Sequence, residues 1–199
     1  MKRVLIYYAH PAHSYSRINK TLMQTAQAQS DVTFVDLYQE YPRYRIDIDK
    51  EQDRMRAHDV ILFQFPIYWY SCPSLMKEFM DVVLEHGFAY GSEDTELTGK
   101  QFGIVVSTSG SETDYSKNGY QNFPLTTFMT PFEQTANLCR MTYLPPFAYF
   151  GAHTTDDTTL EAHVKAYGTY ISALRDETFD HAAAASLDMM IASNLPVKG

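Results

Sequence analysis

The chain has 199 residues, of which 45% are apolar, 20% charged and 14% aromatic. Those proportions exclude extensive disorder and suffice for one sizeable core. Twenty-four acidic against sixteen basic residues give a net charge of −8, which repels phosphate backbones and anionic lipid and argues against nucleic acid as a partner.

The two cysteines, Cys72 and Cys139, match no metal-ligand spacing and form no disulfide framework, which points to a reducing compartment. No apolar run approaches the roughly 18 residues that span a bilayer. The apolar part of the first residues is too short for a signal peptide. The protein is expected in the cytoplasm.

In chain order, residues 4–9 form a continuous apolar run. Ile18, Leu22, Met23 and Ala26 then recur at helical spacing. Residues 32–37 predict a second strand, residues 39–48 an irregular segment rich in Tyr, Pro and Arg, and residues 50–57 a short helix. A strongly apolar strand over 60–65 is stopped by Pro66. Pro73 suits the first turn of a helix striped by Leu75, Phe79, Val82 and Val83 and ended by Gly87. Residues 102–107 predict another buried strand, 108–120 a loop, and 124–138 a helix. A last strand over 143–150 carries Pro145 and Pro146 and so belongs at an edge. Leu160, Val164, Tyr167, Ile171 and Leu174 share one face of a closing helix. The tail after residue 179 predicts a short helix over 182–191 or a frayed end.

Alternating strands and helices with near-continuous apolar strands specify an α/β fold, doubly wound, with a parallel sheet covered on both faces. In such sheets ligands bind beyond the carboxyl ends of the strands. Three loops fall there. The first, residues 10–19, is neither G-x-G-x-x-G nor a Walker loop. It opens a helix with Ser16, Arg17, Ile18 and Asn19, which suits a phosphate, although on this loop alone plain helix capping by Ser14 or Ser16 is the better account of its hydroxyls. The second, residues 66–73, holds Pro66, Ile67, Tyr68 and the single Trp of the chain, Trp69. It suits a planar heteroaromatic ring or a plain aromatic cluster. The third begins Ser107-Thr108-Ser109-Gly110 and continues through Tyr115 to Gln121. Its small residues permit close approach to a ligand or make a mobile surface loop.

Four strings carry a family resemblance: Ala9-His10-Pro11 with Ser16 and Asn19; Pro66-Ile67-Tyr68-Trp69-Tyr70-Ser71 with Pro73, Lys77 and Asp81; Gly87-Phe88-Ala89-Tyr90-Gly91 with Leu97, Gly99 and Lys100; and Ser107–Gly110 with Tyr115 and Gly119. Over residues 1–175 the chain resembles the flavodoxin-like NAD(P)H:quinone oxidoreductases of the DT-diaphorase type. Residues 38–42, 47–49, the Glu51-Gln52 pair and Leu144-Pro145-Pro146-Phe147 further resemble the bacterial ancillary proteins of glutathione-regulated potassium-efflux systems.

The resemblance implies a flavodoxin-like five-stranded parallel sheet of order 2-1-3-4-5 over residues 1–178. The C-terminal tail, 179–199, lies outside the likeness and reads as a frayed end or as a short helix at a dimer interface. The resemblance also implies FMN, with FAD as the alternative, and NAD(P)H as the reductant of a quinone in a ping-pong hydride transfer. The flavin phosphate falls to His10 and residues 16–19. The ring falls to Pro66, Ile67, Tyr68 and Trp69 on one side and to Ser107, Thr108, Ser109, Gly110 and Tyr115 on the other. Tyr115 is the implied donor to the reduced ring. The family's partner histidine is Gln121 here, which donates a hydrogen bond but carries no proton; His13, His86 and His153 are candidate substitutes. No metal is implied. A homodimer is implied, as is a second role, docking on a membrane potassium-efflux protein. Flavodoxin-type one-electron carriers have a short Thr-Gly-rich first loop instead of this longer His-Pro loop.

Overall fold

The computed structural model describes residues 1–198. Strands β1 (Val4–Tyr8), β2 (Val32–Asp36), β3 (Val60–Pro66), β4 (Gln101–Ser107), β5 (Thr142–Tyr143) and β6 (Phe147–Tyr149) build one parallel sheet. The order is β2-β1-β3-β4-β5, with β6 also on β4. β5 and β6 are two halves of the expected last strand, separated by Pro145 and Pro146, so the six segments occupy five positions. The helices are α1 (Arg17–Gln27), α2 (Leu37–Glu40), α3 (Ile48–Arg56), α4 (Ser74–Val83), α5 (Leu125–Leu138), α6 (Asp157–Arg175) and α7 (His181–Ala184).

Every residue of β1 and β4 is buried because both sheet faces are covered. Alternate side chains divide between two cores. Val4, Ile6, Val60 and Leu62 pack with α1 and α6. Leu5, Tyr7, Ile61 and Phe63 pack with α4 and α5. Gly103 of β4 lets α6 approach: a Cβ there would lie 2.9 Å from both the Leu62 side chain and the Tyr170 hydroxyl.

Several boundaries differ from the sequence reading. The segment expected to be irregular contains α2, because the Asp36 carboxylate accepts from the N–H groups of Tyr38 and Gln39. α3 starts before Lys50 because Asp47 caps it in the same way. Pro73 and Pro124 each stand one residue ahead of their helices. α4 ends at Val83, ahead of Gly87. That glycine, at φ +88°, closes the next turn by donating to the Tyr90 carbonyl at 2.8 Å.

The tail is neither frayed nor helical over 182–191. Only α7 is helical, and the chain then folds back along its own sheet. Ala148 donates to the Met190 carbonyl and Met190 to the Pro146 carbonyl, both at 2.8 Å. Phe179 and Met190 are buried beside α6. This pairing covers the broken edge that the two prolines leave.

A buried charge fixes α3 to the sheet. Glu51, with no exposed surface, accepts from the Tyr7 hydroxyl at 2.7 Å and from the Tyr41 hydroxyl, and pairs with Arg54 at 2.6 Å. Glu51→Ala strands both hydroxyls and leaves Arg54 only its longer pair with Glu40 at 3.6 Å. The expected loss is about 3 kcal/mol of unfolding free energy in urea titration, the scale of breaking a buried ion pair; a loss within the scatter of a surface substitution would contradict this role.

Candidate active site

The carboxyl ends of four strand segments are in register, and the ladder runs one residue beyond each. Ala9 donates to the Gln64 carbonyl (3.0 Å), Ile67 to that of Ser107 (2.9 Å) and Thr108 to that of Tyr149 (2.8 Å). The loops therefore leave the sheet side by side, and between them lies a cleft of about 400 Å³. Of the residues the sequence singled out, His10, Ser16, Asn19, Pro66, Ile67, Tyr68, Trp69, Ser107, Thr108 and Ser109 line it.

The first loop ends at the α1 N-terminus. The Ser16 hydroxyl caps it by accepting from the Asn19 N–H at 3.1 Å. The Asn19 side-chain amide donates to Ser16 Oγ at 3.2 Å and to Ser107 Oγ at 2.9 Å, tying this helix to the end of β4. The N–H groups of Arg17 and Ile18 have no acceptor among the described residues. They sit at the positive end of the helix dipole. Ile18 itself is a core residue, and the Arg17 side chain pairs with Asp157 at the surface; neither lines that cleft, and both border an adjoining hollow of about 260 Å³ that shares Tyr15, Ser16, Ala152 and His153 with it. His10 is pushed down to about 4 by burial and, secondarily, by His13. Its Nδ1 accepts from the Ala12 N–H at 3.1 Å. The ring is thus neutral at pH 7 with its proton on Nε2, a donor that brings no charge.

The second loop turns sharply. Tyr68 and Ser71 exchange backbone hydrogen bonds of 2.9 and 3.0 Å across Trp69 and Tyr70. Both central residues have positive φ, +46° and +64°, in a two-residue turn that ordinarily uses Asn and Gly. Holding two aromatics there costs about 1–3 kcal/mol each. The turn leaves the Trp69 indole 92% exposed at the cleft rim.

The third loop is anchored to the segment after β6. Gly151 donates to the Gly110 carbonyl and Ala152 to that of Thr108, both at 2.9 Å. Farther along, the loop closes on itself so tightly that a Cβ on Gly119 would lie 2.2 Å from the Thr113 carbonyl oxygen. Tyr115 does not line the cleft. It lies behind Gly110, buried between Phe128 and Phe150, and burial raises its pKa. Gln121 is farther out and is held through its backbone N–H to the Asp114 carbonyl.

Sequence reasoning misses Ala12 and Tyr15 within the first loop and, after β6, Ala152 beside His153, the latter named only as a substitute for the family histidine. The last pair could have been inferred from topology, since a strand beside β4 must deliver its following loop to the same edge. His86 lies elsewhere, against Tyr90, and His13 is engaged with the Tyr8 hydroxyl at 2.8 Å. Among the described residues no cluster of His, Cys, Asp or Glu could hold a metal.

A family model described as a flavodoxin-like fold matches residues 2–171. The chain belongs to the flavodoxin-like family. It is 41% identical over 171 residues to the glutathione-regulated potassium-efflux system ancillary protein KefG of Enterobacter sp. (strain 638), covering 86% of this chain and 93% of that protein. It is also similar to the structure of general stress protein 14 from Treponema denticola in complex with FMN, at 34% identity and a TM-score of 0.78, covering 88% and 98%. A third likeness is to an NADPH-quinone reductase from P. pentosaceus, at 30% identity and a TM-score of 0.76, covering 84% and 96%.

Asn19 is 3% exposed and joins two loops. Asn19→Ala leaves the Ser107 hydroxyl without its donor. Urea unfolding is expected to show a loss of about 1–3 kcal/mol, whereas Asn19→Asp, which lacks the amide donors, is expected to be no better.

Proposed function

We propose that the chain is an FMN-dependent NAD(P)H:quinone oxidoreductase. The observation that carries this reading is the convergence of Ser16, the neutral His10 and the strained 68–71 turn on one cleft, with the free N–H groups of Arg17 and Ile18 in the hollow that adjoins it. The relatives support it, one bound to FMN and one an NADPH-quinone reductase.

The residues fit the cofactor. Arg17 and Ile18 N–H, Ser16 and the Nε2–H of His10 would hold the phosphate, four donors without a buried positive charge. Pro66, Ile67, Tyr68 and Trp69 would bear one side of the ring, and Ser107–Gly110 the other. Bound there, FMN would supply the hydride chemistry, with nicotinamide as donor and quinone as acceptor. The backbone N–H groups of Trp69 and Tyr70 have no acceptor among the described residues. The positive φ of both residues fixes their direction, and fixed donors are what developing negative charge on a ring needs. Tyr115 remains protonated because burial raises its pKa, and from behind Gly110 it backs the third loop rather than meeting the ring. Gln121, farther out, has no transferable proton, which leaves proton delivery to solvent or to His153 at the rim.

The exposed aromatics Tyr15, Trp69 and Tyr120 support a homodimer that covers the cleft. The identity to KefG supports a second, compatible role as an ancillary subunit of a potassium-efflux protein. Among the described residues no helix is long and apolar enough to cross a membrane, which suits a cytoplasmic protein reaching the membrane through that partner.

Anaerobic NADPH is expected to bleach the FMN-loaded protein, and a benzoquinone to restore the colour. Tyr115→Phe is expected to change quinone turnover by less than about tenfold, because the hydroxyl lies behind the cleft lining and not against developing charge. A flavin that stays oxidised would overturn the reductase reading and leave the ancillary one; a loss of about tenfold or more in Tyr115→Phe would restore the donor role that the resemblance implies.

A further inference from the structure

On the far side of the segment after β6, away from the flavin cleft, lies an open recess of about 390 Å³. Tyr149, Phe150 and Ile191 give it apolar walls, Thr159 a hydroxyl, and Glu112 a carboxylate at the mouth. The tail that supplies one wall lies beyond the residues the family model covers. That wall is fixed. Asn194 accepts from the Ile191 N–H at 2.7 Å and donates to the Met189 carbonyl at 3.2 Å, and Met190 is paired with the sheet.

His163 of α6 lines this recess at 3% exposure. Its ring stacks on Phe147 at 4.6 Å and meets Tyr149 edge-on at 4.4 Å. Nε2 is sealed from solvent without a hydrogen-bond partner. A buried polar group left unpaired in a native fold requires a reason. Burial pushes the ring down to about 3, so it is neutral at any ordinary pH. A neutral imidazole offers one N–H and one lone pair. A hydroxyl, both donor and acceptor, satisfies either tautomer. Glu112 and the net charge of −8 disfavour an anion.

We propose that this recess is a second binding site, taking a small uncharged molecule with a ring-sized apolar body and a hydroxyl group. The site is independent of the flavin cleft. Its occupant meets the Tyr149–Ile191 walls through the ring and, by a small turn of the His163 imidazole that uncovers Nε2, meets His163 through the hydroxyl.

Phenol is the simplest probe. Titrating the full chain with phenol while following the His163 side-chain nitrogens by long-range proton–nitrogen NMR reads this site alone. A saturable shift is expected, half-complete on the order of 1 mM, the range so small a ligand supports. His163→Phe keeps the stack on Phe147 and removes the polar contact. Ala192→Trp, at an exposed position on the tail wall, fills the recess without touching the ring. Both are expected to weaken phenol binding at least about tenfold, read by equilibrium dialysis, and benzoate is expected not to bind the wild-type chain. A shift that never saturates, benzoate binding as tightly as phenol, or an unchanged midpoint in Ala192→Trp overturns the proposal; the last carries the test even if His163→Phe does not fold.

Discussion

The side chain of Asn19 is buried at the point where three loops meet, and its amide is held on both sides, by Ser16 at the start of α1 and by Ser107 at the end of β4. β1 and β4 are not neighbours in the sheet; β3 lies between them. One amide thus spans the width of the cleft floor and fixes the α1 N-terminus relative to the third loop. A hydrophobic residue there would satisfy neither hydroxyl, and a longer one would push the helix away from the sheet. The unpaired N–H groups of Arg17 and Ile18 owe their direction to this tie.

The remaining parts of the site follow from the same economy of charge. His10 is kept neutral by burial, so it adds a donor without a competing positive charge. The 68–71 turn holds Trp69 and Tyr70 in a conformation that few aromatics adopt, and the well-packed β3 and α4 on either side sustain the strain. Tyr115 lies a layer behind, where burial keeps its phenol protonated. On the proposed reading such a cleft would receive a phosphate at one end and a flat ring at the other and supply hydrogen bonds in place of ions, which suits chemistry in which charge appears only during the reaction.

Much of this was legible in the sequence, and the residues show why. The apolar runs of β1, β3 and β4 are long and β-branched, so the parallel sheet and the loops at its carboxyl edge follow from periodicity. The loop residues from His10 to Ser109 were found because strand ends announce them. Less legible was anything set by a single side chain. Asp36 starts a helix that composition hides among Tyr, Pro and Arg, and Asp47 starts α3 ahead of the expected Lys50. Met190 pairs with the sheet from a stretch whose sequence reads as a loose tail. Ala152 and His153 reach the cleft only because β6 lies against β4. Tyr115 is brought behind Gly110, out of the lining, by packing on Phe128 and Phe150, contacts that no local pattern encodes.

The central claim is that the α1 N-terminus, positioned by Asn19, is a phosphate site for a flavin mononucleotide. The most direct test compares the dissociation constants of FMN and riboflavin, which differ only in that phosphate, by flavin fluorescence at fixed ionic strength. Two charge-assisted hydrogen bonds predict that FMN binds about 100-fold tighter or more. Equal affinities would contradict the assignment and place whatever holds the flavin elsewhere.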